Sequence, residues 1–191
     1  MSDRHESGQS TQRLSTPLEG TGHRPWNPEA PIPAPLTLHH TVVQPQWVDY
    51  NGHMSESCFL LVFGDNSDAF FRFAGIGEDY RDRQGFSLYT VETHIHNIKE
   101  ITLGEPLSLS LQVLDLDDKR IHIFHSMFHG VTGDLLATGE QMLVHVDMNA
   151  GHSVPMPAWL MGHLRSIYDA HTVLPRPIQA GASIGIRRKS F

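Results

Sequence analysis

In the stretch WVDYNGHMSESCF, residues 47–59, an acid, an amide and an imidazole fall at every second position: Asp49, Asn51 and His53. A carboxylate can attack an electrophilic carbon or take a proton from water, and an amide and an imidazole beside it can orient that water or polarise a carbonyl. Gly52 would permit a positive φ or the close approach of another group. The same letters also make a strong turn, because Asp and Asn tolerate turn geometry and Gly supplies the left-handed residue. The loop could therefore simply join a strand to a helix, with His53 as a cap.

Other residues compete for a chemical role. ETHIH, residues 92–96, puts Glu92, His94 and His96 on one face of a strand, a spacing able to hold a divalent ion. Against that, 14 His are scattered through the chain, tails and other strands included, and we expect no metal site. Cys58 has no argued His partner and reads as a small buried thiol. Asp65 and Asp68 form an acidic pair further along, most simply the polar side of a helix.

These side chains need elements to position them. LHHTVVQPQW, from Leu38, reads as a β-branched segment, and after the VDYNGH loop SESCFLLVFGDNSDAFFRFAG reads as a helix. Phe59, Phe63, Phe70 and Ala74 share a stripe, Ser55 can cap the start, and Gly75 and Gly77 can end it. Leu60, Leu61, Val62, Phe71 and Phe73 add apolar character on other sides, so burial on most sides is expected, with Gly64 admitting a close neighbour. Strand patterns follow over 86–98, 106–116, 120–130 and 135–147, separated by the turn signals LGEP, DDK and GVTGD. The last two strands should form an antiparallel hairpin, and PMPAWLMGHLRSIYDAH closes the chain as an amphipathic helix with Pro157 in its first turn. An antiparallel sheet curled round one central helix, an α+β fold, accounts for this order.

Residues 1–36 are rich in Ser, Gly, Thr, His and then Pro, and read as a disordered leader with a polyproline II-like run, which Trp26 could anchor. The domain proper is assigned to 37–171, and 172–191 reads as a loose tail. At 191 residues and 39% hydrophobic, the chain can build one ordinary core. Its 14 Lys and Arg against 21 Asp and Glu give a net charge of −7, which argues against nucleic acid as a partner. No stretch offers the ~20 apolar residues of a membrane span or the apolar core of a signal peptide. One cysteine forbids an intrachain disulfide, and a cytoplasmic location is expected.

The DYNGHM loop directly before a buried helix, followed by long strands, resembles the hotdog-fold acyl-CoA thioesterases of the 4-hydroxybenzoyl-CoA thioesterase type. Asp49, Gly52 and His53 match their Asp-x-x-Gly-His loop, over roughly residues 38–170. WVDYNGHM, VFGD, YTVETHI and LLATGEQMLVHVD are longer strings, and they resemble betainyl-CoA thioesterases, including the module fused to L-carnitine dehydrogenases. The resemblance implies thioester hydrolysis with Asp49 as nucleophile or general base, Asn51 and His53 orienting it, and Asp65 as a rival carboxylate, since some hotdog enzymes carry theirs on the helix. The oxyanion would meet backbone N–H groups of His53, Met54 or the next residues at the helix start. A betainyl group carries a quaternary ammonium, for which Trp47, Tyr50, Tyr89 and Glu92 are the expected contacts. Lys99, Lys119, Arg120 and the terminal RRK are cations that could meet coenzyme A. The resemblance further implies no cofactor beyond the CoA of the substrate, and a homodimer or homotetramer. Hydrolysis of another short acyl-CoA, or a non-catalytic protein that binds acyl thioesters, are the alternatives.

Overall fold

In the computed structural model, which describes residues 26–186, β1 (Leu36–Val42) leads through a 3-10 turn at Pro45–Trp47 and the 48–55 loop into α1 (Glu56–Ala74). A short helix α2 (Glu78–Gln84) then precedes β2 (Phe86–Asn97), β3 (Pro106–Leu116), β4 (Arg120–His129) and β5 (Leu135–Asp147). A two-residue strand β6 (His152–Ser153) pairs with β5, and α3 (Ala158–His171) follows. The sheet is antiparallel, in the order β1-β3-β4-β5-β2, and leaves β1 and β2 as its edges. It curls round α1 in the expected hotdog arrangement, and β4–β5 form the expected hairpin.

Alternation decides which side chains meet the helix. Ile121, Ile123, His125 and Met127 of β4, with Ala137, Gly139, Gln141 and Leu143 of β5, point inward; Phe124 and Glu140 point outward. Two apolar clusters fill the interior. One joins Phe70, Phe73 and Ala74 of α1 to Leu160, Leu164 and Ile167 of α3. The other joins Phe59, Val62 and Phe63 to Trp47, Met54, Ile101 and Leu107. The close approach anticipated at Gly64 occurs elsewhere: a Cβ on Gly64 would meet nothing within 4 Å, whereas one on Gly139 would lie 2.9 Å from the Phe63 ring. The central strand thus gives way for the helix.

α1 is less engulfed than its composition implies. Leu60 is 45% exposed and Gly64 is exposed beside it, so a stripe of the N-terminal half stays open. Gly75 ends the helix in the left-handed conformation, φ 89°. Ser55 occupies the N-cap position without a side-chain capping bond, and Pro157 sits at the N-cap of α3, just ahead of the first turn. Helix α2, EDYRDRQ, was not anticipated: with one buried residue, Tyr80, it has no apolar periodicity to read.

Both flanking segments lie against the domain as far as they are described. Trp26 stacks on His163 (centroids 4.2 Å apart) and meets Phe73 edge-on at 5.8 Å. His171 accepts the Val113 N–H at Nδ1 (2.9 Å) and therefore donates from Nε2 to the Pro33 carbonyl (3.1 Å), tying α3 to β3 and to the leader. After Thr172 the chain crosses the outer face of the sheet, where the Gly181 N–H donates to both Glu140 carboxylate oxygens (3.0 and 2.8 Å). Residues 1–25 and the terminal RRK lie outside the described residues.

Candidate active site

The 48–55 loop is a small closed structure. Val48 bridges Met54 and His53 bridges Thr102, while Asp49 N–H donates to the His53 carbonyl (3.0 Å) and Gly52 N–H to the Asp49 carbonyl (3.0 Å). Gly52 has φ 83° and open space around it, the conformation this turn requires. The Asp49 Oδ1 accepts the Asn51 N–H at 2.7 Å, and Asn51 Nδ2 lies 3.4 Å from Oδ2. The turn reading and the chemical one are therefore both realised: one carboxylate oxygen builds the loop, and the other is held loosely by an amide. His53 Nε2 lies 3.4 Å from a Glu100 carboxylate oxygen, a neighbour no local pattern announces because it comes from the β2–β3 connection.

The loop delivers the chain to the start of α1. Met54 N–H donates to the Ile101 carbonyl (2.8 Å) and Ser55 N–H to the Trp47 carbonyl (2.8 Å), so the Met54 amide is withdrawn from the set of expected oxyanion donors. Among the described residues, the N–H groups of His53, Glu56 and Ser57 meet no recorded acceptor. A helix terminus presents such groups together with roughly half a positive charge, which suits a developing oxyanion. Asp49, Glu56 and Glu100 also bring three carboxylates to this neighbourhood, a field that favours a cationic ligand.

The other expected site residues separate. Trp47 is 1% exposed and Met54 is buried with it, so both side chains, expected at the substrate, pack in the core of this chain. Tyr50 is 97% exposed on the loop. Tyr89 and Glu92 pair with Val144 and Met142 and share the outer face of the sheet, so strand alternation turns them away from α1. One chain thus does not bring them to Asp49. Asp65 is 1% exposed and lies nine residues into α1, about 14 Å along its axis from Glu56, which takes it away from the loop as well. Lys99 pairs with Asp134 (2.9 Å) and Arg120 with Asp117, so both cations already have counter-charges. No group of three His, Cys, Asp or Glu is arranged to hold a metal among the described residues, and no described helix is long and apolar enough to cross a membrane.

A buried polar chain lies beneath the middle of α1. Asn66 Nδ2 donates to His125 Nδ1 (2.8 Å), so the ring proton sits on Nε2, directed at Gln141 Oε1 (3.1 Å), which Ser67 Oγ also donates to (2.8 Å). Gln141 Nε2 then reaches Thr93 Oγ1 at 3.4 Å. Burial lowers the His125 pKa to about 4 and keeps the ring neutral. The alternation Ile121, Ile123, His125, Met127 in β4 was enough to place this imidazole inward, although no pattern named its partners.

The chain is similar to known proteins in sequence and in fold. The model of the thioesterase-like superfamily matches residues 43–164. An L-carnitine dehydrogenase/betainyl-CoA thioesterase from Rhizobium meliloti is 47% identical over 154 residues, covering 81% of this chain; the chain spans only 31% of that relative's length. A betainyl-CoA thioesterase from Pseudomonas aeruginosa is 37% identical over 151 residues, 79% of this chain and 95% of that protein. A solved structure from Pseudomonas putida superposes with a TM-score of 0.71 at 32% identity, covering 83% of this chain and all of that one. Extent of match, identity and fold agree: the chain belongs to the thioesterase-like superfamily.

Proposed function

We propose that the protein hydrolyses the thioester of betainyl-CoA, giving glycine betaine and coenzyme A. The observation that carries this reading is the Asp49 carboxylate, held in a closed loop that opens onto the unsatisfied amides at the start of α1. The names of its relatives, betainyl-CoA thioesterase alone and fused to a dehydrogenase, supply the acyl group. Asp49 either attacks the carbonyl carbon, forming an anhydride that water opens, or removes a proton from the attacking water. In both routes the carbonyl oxygen becomes an oxyanion beside the helix N-terminus, the carbon–sulfur bond breaks, and the departing thiolate of coenzyme A takes up a proton. Asn51 holds the carboxylate, and His53 stands between loop and Glu100. The fit with a cationic acyl group comes from Asp49, Glu56 and Glu100, with the exposed Tyr50 ring beside them.

The substrate assignment is tested by comparing betainyl-CoA with the 3,3-dimethylbutyryl thioester, its neutral carbon isostere. Shape is matched and only charge differs, so kcat/KM should favour the ammonium by about 30-fold, equivalent to the ~2 kcal/mol of a desolvated cationic contact. Equal turnover of the two rules out betainyl-CoA as the preferred substrate while leaving thioester hydrolysis intact.

The active form is a homodimer or homotetramer. β2 is a twelve-residue edge strand with Tyr89 and Val91 exposed, and the open Leu60–Gly64 stripe of α1 adds unsealed surface. Such an edge is a template for pairing unless it is covered. Light scattering should give at least twice the 21.4 kDa chain mass; a monomer at micromolar concentration excludes this assembly. A single cysteine and a CoA substrate suit the cytoplasm, where fractionation should find the protein.

A further inference from the structure

His53 owes its place to two segments, and the second has no part in the chemistry described so far. Its carbonyl accepts the Asp49 N–H at 3.0 Å, which sets ring and carboxylate in one frame, and its backbone also bridges Thr102 in the connection between β2 and β3. That connection is pinned along its length. Lys99 N–H donates to the Leu136 carbonyl (3.0 Å), the Ile101 side chain is buried with Met54, and Glu105 Oε2 accepts both the N–H (2.7 Å) and the hydroxyl (2.9 Å) of Thr102. Val43 N–H donates to the Glu105 carbonyl (3.0 Å) and closes the turn against the end of β1. Glu100 is therefore exposed in its side chain, while its backbone is held from both sides.

This fixed turn brings one carboxylate to one ring nitrogen. Glu100 Oε2 lies 3.4 Å from His53 Nε2, slightly beyond a formed N–H···O bond, a common looseness in unliganded sites. Among the described residues the Glu100 carboxylate has no other partner, since the neighbouring cation, Lys99, is held by Asp134 at 2.9 Å, and Nδ1 of His53 has none. The His53 side chain is 37% exposed, which leaves that second nitrogen to water or a ligand. A carboxylate beside one nitrogen decides which of the two carries the proton: Nε2–H faces the acceptor, and Nδ1 keeps its lone pair.

We propose that Glu100 is a positioning residue for thioester hydrolysis, an inference that rests on the hydrolytic reading of the Asp49 loop. It holds the His53 ring in the Nε2–H tautomer, so that Nδ1 can accept one O–H of the water that Asp49 activates or of the water that opens the Asp49 anhydride. No proton passes to His53 in either route; the ring fixes the direction in which the water's lone pair points. Such a role differs from that of a counter-charge for an ammonium, because it serves every acyl group alike.

Kinetics of Glu100→Ala and Glu100→Gln on betainyl-CoA and on the 3,3-dimethylbutyryl thioester separate the two roles. Glu100→Ala should lower kcat about tenfold on both esters, the order of one hydrogen bond, with KM for the neutral ester changed by less than about twofold. Glu100→Gln, which keeps an acceptor oxygen without the charge, should recover most of that loss. In a His53→Ala background Glu100→Ala should cost nothing further, because its effect runs through the ring. Ring ¹⁵N spectra at about pH 8, where ordinary imidazoles are neutral, should show His53 protonated at Nε2 in the parent and a mixture of tautomers in Glu100→Ala. A loss confined to betainyl-CoA, an additive loss in the His53→Ala background, or an unchanged ring spectrum would each overturn the proposal. A parent that turns over while Glu100→Ala keeps its kcat sinks this inference alone; a parent that releases coenzyme A from neither ester sinks the hydrolytic reading with it.

Discussion

Asp49→Asn is expected to lower kcat/KM for betainyl-CoA by about 10³-fold while the fold is kept. The amide oxygen of Asn can still accept the Asn51 N–H that the Oδ1 carboxylate oxygen accepts now, so the turn, the Gly52 conformation and the path into α1 survive. What disappears is the proton acceptor or nucleophile, and positioned acid–base groups contribute about 10²–10⁴-fold. Coenzyme A release followed with a thiol reagent gives the rate, and an unchanged thermal midpoint shows that folding is intact. A loss smaller than tenfold removes Asp49 from the chemistry. Asp65→Asn is the contrast: buried in the flank of α1 and remote from the loop, it should alter stability more than turnover. Single turnover in ¹⁸O-water then bears on the two roles of Asp49: label in the protein carboxylate requires direct attack with water opening the anhydride at the Asp49 carbonyl carbon, whereas base catalysis sends all of the label to the product.

The second large effect is on stability against pH. His39 and His125 are both buried, and each pKa falls from 6.5 to about 4. For His39 the cause is burial first, then the positive charges of His40 and Arg72; for His125 it is burial, partly offset by the Gln141 hydrogen bond. His171 is lowered in the same direction by burial. A folded state that prefers neutral rings binds fewer protons than the unfolded chain. The stabilisation is therefore complete above about pH 6.5 and declines as pH falls towards 4. Each histidine contributes a slope of about 1.4 kcal/mol per pH unit across that window, enough for two of them to consume much of an ordinary domain's stability. Urea unfolding at pH 7.5, 6.5, 5.5 and 4.5 measures it, and His125→Gln should remove about one proton from the slope. A midpoint that stays constant between pH 7 and 5 contradicts the argument. Glu105, Asp117 and Asp134, whose pKa values are lowered by their hydrogen bonds, enter only at more acid pH.

The periodicities that could be read from the chain are those that water enforces. Alternation set the strands, the Phe59–Ala74 stripe set α1, and Gly75 set its end, because each reports a side facing the core. The loop was legible for another reason: Asp49, Asn51 and Gly52 are local turn formers whose bonds span two or three residues. The tail was not legible, since the bond that places it joins a backbone N–H at Gly181 to a carboxylate 41 residues away. The side chains of Trp47 and Glu92 are turned away from the Asp49 carboxylate within one chain for a related reason. Nearness along the sequence to a site, or presence on a nearby strand, leaves open which way a side chain points, and here the 3-10 turn and the strand register point both elsewhere.

Oily contact has no preferred angle, and a helix resting only on phenylalanine and valine could turn or slip on its bed with little penalty. The amide–imidazole chain from Asn66 through His125 and Gln141 to Thr93 does have preferred angles, and a quarter turn of α1 would break the bonds by which Asn66 and Ser67 hold it, to His125 and to Gln141. It acts as the key in a keyway, indexing the rod against the sheet. The direction in which the rod's open end aims its amides is thereby decided in the dry middle of the protein, out of reach of anything that binds at its tip.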